Sequence, residues 1–165
     1  MKSEPHQIYN LQLDVLEEHP GWAQSSVLTL DIVRQIVHAT LKHTEYSCQG
    51  TSLVLSVLLA DDATLQELNR DFLGLDKPTN VLAFPVGEQN GTDYYLGDIA
   101  LSYDTICMEA QLYNKTIHQR AVHMLVHGVL HLLGYDHIDE DDKIIMEAAE
   151  EEILLIFGIT EPYTL

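Results

Sequence analysis

Hydrophobic and polar positions along the chain fall into short blocks with two distinct periods. Ile8–Val15 alternates loosely, as a half-buried strand does. In Thr29–Thr44, Leu30, Val33, Ile36, Val37, Thr40 and Leu41 recur at helical spacing. Ser52–Ala60 is short, apolar and branched, which predicts a central strand. Asp61 or Asp62 can cap a helix running to about Phe72, and Gly74 and Pro78 then punctuate a loop. Asn80–Phe84 is a strand expected to stop at Pro85, and Val86–Tyr94 is polar enough for a loop or hairpin connection. Leu96–Ser102 is a further strand. Three helices follow, over Tyr103–Tyr113, Ile117–Leu133 and Asp139–Phe157. The acids that open the last helix suit the positive end of its dipole. The fold class expected is α+β: one domain over residues 1–165, with a small mixed sheet of about four strands packed by helices.

Ile117–Leu133 is apolar nearly all round, so it must be buried. It nevertheless carries His123, His127 and His131 at intervals of four. His127 and His131 project from one face and can meet one ion. Gly134 can end the helix in a left-handed conformation, and the chain then folds back to bring in His137. Three imidazoles holding one divalent ion, with a fourth position open, match a catalytic zinc site rather than a structural one. His123 reads as a core residue or a supporting neighbour, while His6, His19, His38, His43 and His118 show no partner pattern. Gly128, inside the helix, costs about 1 kcal/mol relative to Ala and implies a close approach of backbone or substrate.

A metal-activated water implies hydrolysis. The spacing HxxxHxxGxxH is that of metzincin proteases, whose general base is a Glu directly after the first His. Here that position is Gly128, and Met146 sits within a helical pattern rather than in a Met-turn. A protease therefore lacks its base. Cleavage of RNA, where the 2′-hydroxyl adjoins the phosphate, tolerates that loss better.

His127–His137 resembles the HGxLHLxGYDH signature of the YbeY family of bacterial metal-dependent endoribonucleases. The likeness extends to Leu68-Asn69, Asp76–Leu82, Phe84-Pro85, Leu96–Ile99, Asp139–Asp142, Met146-Glu147 and Gly158, and so covers about residues 50–160. It implies one zinc ion on His127, His131 and His137, and single-stranded ribosomal RNA precursors or ribosomal particles as substrate, with a ribosome-associated protein as a further partner. Two departures stand out. Leu73 occupies the place of the family's usual Arg, and Leu75 that of a second basic residue. Ala83 replaces a Ser. Arg70, Lys77, Asp98 and Asp136 are the candidates for phosphate binding, ligand orientation or proton transfer; Asn80 could line the cleft, and Tyr94, Tyr95 and Tyr135 could stack bases. The run Glu150–Glu152 reads as a solvated helix face. A zinc metallopeptidase or other zinc hydrolase, and a ribosome-assembly factor with little turnover, are the competing readings.

Composition narrows this further. The chain has 165 residues, enough to bury about two thirds of its unfolded surface without disulfides. Cys48 and Cys107 form no metal or disulfide pattern, Met1–Asn10 holds no apolar signal core, and no stretch is long enough to span a bilayer; a cytoplasmic protein is expected. Eight Lys and Arg face 26 Asp and Glu, for a formal charge of −18. That excludes a broad basic RNA-coating face and binding to anionic membranes. Ten of the acids lie between Asp136 and Glu161, whereas Gln111–Tyr135 contains none. The expectation is weak, salt-sensitive RNA binding confined to the metal cleft, with the acidic last helix turned away.

Overall fold

The computed structural model describes residues 10–47 and 52–163. In chain order it contains β1 (Leu11–Glu17), α1 (Pro20–Ser25), α2 (Leu30–His43), β2 (Ser52–Ala60), α3 (Asp62–Leu73), β3 (Val81–Asn90), β4 (Asp93–Ser102), α4 (Tyr103–Leu112), α5 (Ile117–Leu132) and α6 (Glu140–Ile156). The four strands form one mixed sheet in the order β1-β2-β4-β3, in which only β3 and β4 are antiparallel. The α+β architecture expected from the two periods is the one observed. Ile8, Tyr9 and Cys48 lie outside the described residues.

Alternation along β4 sorts the two faces of the sheet. Gly97, Ile99 and Leu101 are buried on the side where α5 packs, and Ala100 joins Ala60, Leu65 and Leu82 in a smaller cluster on the side covered by α3. The main core fills the first side. Leu53, Leu55, Val57 and Leu59 of β2 meet Val33, Ile36, Val37 and Leu41 of α2 and the apolar residues of α5. Burial of an α5 side chain such as Leu125 or Leu130 contributes about 2 kcal/mol each, so packing fixes this helix more firmly than propensity does.

Local signals set the helix boundaries. Asp61 accepts a hydrogen bond from the Thr64 amide at 2.9 Å and caps α3. Thr116 and Gln119 form a reciprocal capping box on α5. Asp139 caps α6, and Glu140, Asp141 and Asp142 occupy its first turn.

Two elements differ from expectation. α1 is too short to show a period; Pro20 opens it and it buries Trp22. The strand expected to stop at Pro85 continues to Asn90, so Val86–Tyr94 is a hairpin whose strands β3 and β4 turn between Asn90 and Asp93. Pro85 is tolerated because β3 is an edge strand whose register shifts between Pro85 and Glu88.

Candidate metal centre

α5 ends where the second histidine has just been presented. The Gly134 amide donates to the His131 carbonyl at 3.1 Å and the Tyr135 amide to the Leu130 carbonyl at 3.0 Å, with Gly134 at φ +96°. This paired reversal is the C-terminal stop that glycine permits. It returns the chain so that His137 faces His127 and His131. One ligating atom from each of the three rings lies within 4.8 Å of the others, and the Nε2 atoms of His127 and His131 are 3.1 Å apart. Nitrogens bound tetrahedrally to zinc at about 2.0 Å are separated by about 3.3 Å, so this donor set fits such an ion after small ring movements. The cluster could hold a metal ion.

The orientation of His127 comes from α6. Oε1 of Glu150 lies 2.5 Å from Nδ1 of His127. An ionised carboxylate only accepts, so Nδ1 of His127 carries a proton and Nε2 is the ring nitrogen that faces the other histidines. His123 stands behind the same carboxylate, its Nε2 3.6 Å from Oε2 of Glu150. That Nε2 is the one buried side-chain polar atom among the described residues without a hydrogen-bond partner. Burial works to raise the pKa of Glu150, but the imidazoles of His123 and His127 overcome it and hold the carboxyl at about 2. At His131, burial first, and then the charges of His127 and His137, lower the pKa to about 4. His131 is therefore neutral at any pH near 7.

Glu150 thus corrects the sequence reading: it is buried, while Glu151 and Glu152 are exposed as expected. Its signal lay in the α6 pattern. Met146, Ala149, Glu150, Ile153 and Leu154 are the buried positions, so the carboxylate stands on the apolar stripe itself.

Two cavities meet at the histidines. The larger, about 620 Å³, reaches His127 and His137 between Asn80, Arg120, Lys143 and Tyr163. The smaller, about 330 Å³, runs along the edge strand from Thr79 to Ala83, past Leu73, to all three histidines. Met146, Glu147 and Glu150 line the larger one, so one side of the acidic helix faces the cleft instead of turning away. Arg120 binds the carboxylate of Glu109 and stacks on Tyr113 with 5.0 Å between guanidinium carbon and ring centre. Asn80 donates to the same carboxylate at 2.9 Å, tying the start of β3 to α4 and α5. Sequence reading missed Glu109 and Tyr163, because their grouping with Arg120 depends on how α4, α5 and the C-terminal segment meet.

The remaining candidates lie elsewhere. Asp98 points to the sheet face opposite α5, where it accepts from Ser56; the two-residue period that buries Ile99 forces this. Asp136 accepts from the Ile138 amide at 3.2 Å and lines a separate small pocket beside Asp142. Arg70 is exposed and paired with Asp71 at 3.1 Å. Lys77 is exposed in the loop before β3, and Thr79 and Asn80, not Lys77, line the cleft. Tyr94 and Tyr135 pack against the core, and Tyr95 lies on the Asp98 face. Gly128 lies under the sheet: a Cβ there would come within 3.1 Å of Ile99 and 3.3 Å of Val81. The close approach that its position implied is a helix-to-sheet contact.

The model of the family described as Endoribonuclease YbeY matches residues 23–158. The chain belongs to the YbeY family. Among relatives named Endoribonuclease YbeY, the protein of Paramagnetospirillum magneticum is 47% identical over 66% of this chain and 70% of its own length. That of Wolbachia pipientis is 42% identical over 88% of this chain and 93% of its own. That of Azorhizobium caulinodans is 37% identical over 94% and 98%. The solution structure of TM1509 from Thermotoga maritima is similar with a TM-score of 0.55 at 23% identity, covering 93% of this chain and all of the other; it supports the fold alone. The YbeY signature thus coincides with the segment that brings the three histidines together.

Proposed function

We propose that this YbeY-family protein cuts single-stranded regions of ribosomal RNA precursors at one zinc ion held by His127, His131 and His137. Endoribonuclease action in ribosomal RNA processing comes with the family. The single observation that carries the metal assignment is the convergence of three imidazoles, one of them oriented by a buried carboxylate. Bound there, a divalent ion supplies Lewis acidity to a phosphate oxygen and its developing charge.

The chain's own groups do the rest. Glu150 accepts from Nδ1 of His127 and so leaves Nε2 of that ring facing the cleft. His131 stays neutral, so it does not compete with the ion for a proton. Lys143 stands on the cleft wall 4.0 Å from the carboxylate of Glu147, and Arg120 is engaged by Glu109 and braces the wall. The nucleophile is a water or the 2′-hydroxyl. Lys77, exposed outside the cavities, contacts the RNA backbone beyond the cut, whereas Arg70 is engaged by Asp71. Asp98 lies on the opposite face of the sheet and Asp136 accepts from the Ile138 amide, and neither lines the two cavities at the histidines.

The tight fit of Ile99 and Val81 beside Gly128, together with the absence of a Glu at this position, weighs against a metallopeptidase. No helix among the described residues is long and apolar enough to cross a membrane. We place the protein in the cytoplasm, with ribosomal particles and a ribosome-associated protein as partners that raise the affinity a −18 chain has for RNA. The test is cleavage of a single-stranded ribosomal RNA fragment by zinc-loaded protein, its loss on chelation, and a silent panel of peptide substrates. Equal cleavage with and without metal would refute the assignment.

A further inference from the structure

The C-terminal turn of α3 exposes three neighbouring apolar side chains: Phe72 is 68% exposed, Leu73 56% and Leu75 48%. Single exposed apolar residues need no explanation, but a contiguous group beside a cleft does. Leu73 lines the smaller cavity together with His127, His131 and His137. The Phe72 ring leans on Phe84, with centroids 5.3 Å apart and planes at 55°. Phe84 is itself half-buried against the cluster of Leu82 and Ala100. An apolar and aromatic surface therefore runs from the lip of the metal cleft around the edge strand.

This turn is held rather than loose. Asn69 is buried, its side chain donates to the Lys77 carbonyl at 2.9 Å, and its carbonyl accepts from the Leu75 amide at 3.2 Å. These bonds fix the turn that directly follows Phe72 and Leu73. The nearest cation along the helix, Arg70, is paired with Asp71. Surface of this kind grips bases, whose π-faces stack on aromatic rings, and not phosphates.

We propose that Phe72, backed by Phe84, is a stacking platform for an unpaired base of the RNA, and that Leu73 guides the adjoining nucleotide into the metal cleft. The inference rests on the reading of the protein as an RNA-cutting enzyme. It explains how a chain of charge −18 with Leu73 at the cleft lip engages single strands.

The test titrates a cleavage-resistant 2′-O-methyl single strand into zinc-loaded wild type, Phe72→Ala and Phe72→Trp at several salt concentrations. Phe72→Ala is expected to weaken binding about tenfold with an unchanged slope against log salt, because stacking releases no counterions. Phe72→Trp is expected to bind as wild type with quenched emission, against the background of the buried Trp22. Equal affinity of wild type and Phe72→Ala overturns the proposal. So does a Phe72→Ala protein that keeps its RNA affinity but no longer sediments with ribosomal particles, since that assigns the patch to a protein contact. A wild type that does not bind the strand at all refutes the RNA reading itself.

Discussion

Oε1 of Glu150 and Nδ1 of His127 lie 2.5 Å apart across the interface of α5 and α6. The contact joins the acidic last helix to the first histidine of the cluster and decides which ring nitrogen is available to an ion. Removing the negative charge while keeping an acceptor should loosen that control without emptying the space. Glu150→Gln is expected to fold and to bind zinc 10–100-fold more weakly, read by competition with a chromogenic chelator. Unchanged affinity would mean that the carboxylate is only a packing element.

Protonation of His131 gives a second prediction. Burial and its two imidazole neighbours disfavour the cation, and the pKa drops from 6.5 to about 4. In the metal-free protein the His131 ring resonances are expected to stay constant from pH 8 to about 5.5 and to move only near pH 4. The sign for stability follows from linkage. The unfolded chain takes up this proton below pH 6.5 and the folded chain does not, so the contribution of His131 is complete above 6.5 and lost as pH falls toward 4. A ring that titrates at 6.5 or above would contradict the half-buried, clustered geometry.

Gly128 supplies a third. A methyl group at this position gains about 1 kcal/mol in helix propensity. It also presses on Ile99, which is fully buried. Overpacking of this sort costs about 1–3 kcal/mol, so Gly128→Ala is expected to lower the urea midpoint of unfolding. Gly128→Glu, which rewrites the segment as a metzincin motif, should destabilise further and produce no peptidase activity. A stabilised Gly128→Ala would show that the helix and sheet have slack at this crossing.

Leu73 supplies a fourth. It is exposed at the cleft lip, so a longer polar side chain meets no packing penalty. Leu73→Arg is expected to tighten RNA binding and to steepen the dependence of log affinity on log salt by about 0.7, the effect of one added phosphate contact on a single strand. An unchanged slope would place this lip away from the RNA backbone.

The sequence carried the cluster because its signal is local. His127, His131 and His137 sit within one helix and its stop, where spacing and Gly134 determine geometry. The strands and long helices were legible for the same reason, through their periods of two and 3.6. What failed needed knowledge of a neighbour. Glu150 looked solvated beside Glu151 and Glu152 until α6 was laid against α5. Asp98 looked like a ligand-orienting carboxylate until the alternation around Ile99 put it on the opposite face. Pro85 looked like the end of a strand because its place at a sheet edge is a property of the topology. The grouping of Asn80, Glu109 and Arg120 joins three elements and leaves no trace in any one of them.

The central claim, that the three histidines form the centre that cuts RNA, is tested most directly at His137. This residue is exposed and lies after the end of α5, whereas truncating His127 would strand the buried Glu150 carboxylate. The measurement is the rate at which zinc-loaded wild type and folded His137→Ala cleave a single-stranded ribosomal RNA fragment, with bound zinc determined on the same samples. The account predicts about one zinc per wild-type chain, weakened zinc retention in the variant, and loss of cleavage to background. A His137→Ala protein that cleaves at the wild-type rate would contradict it.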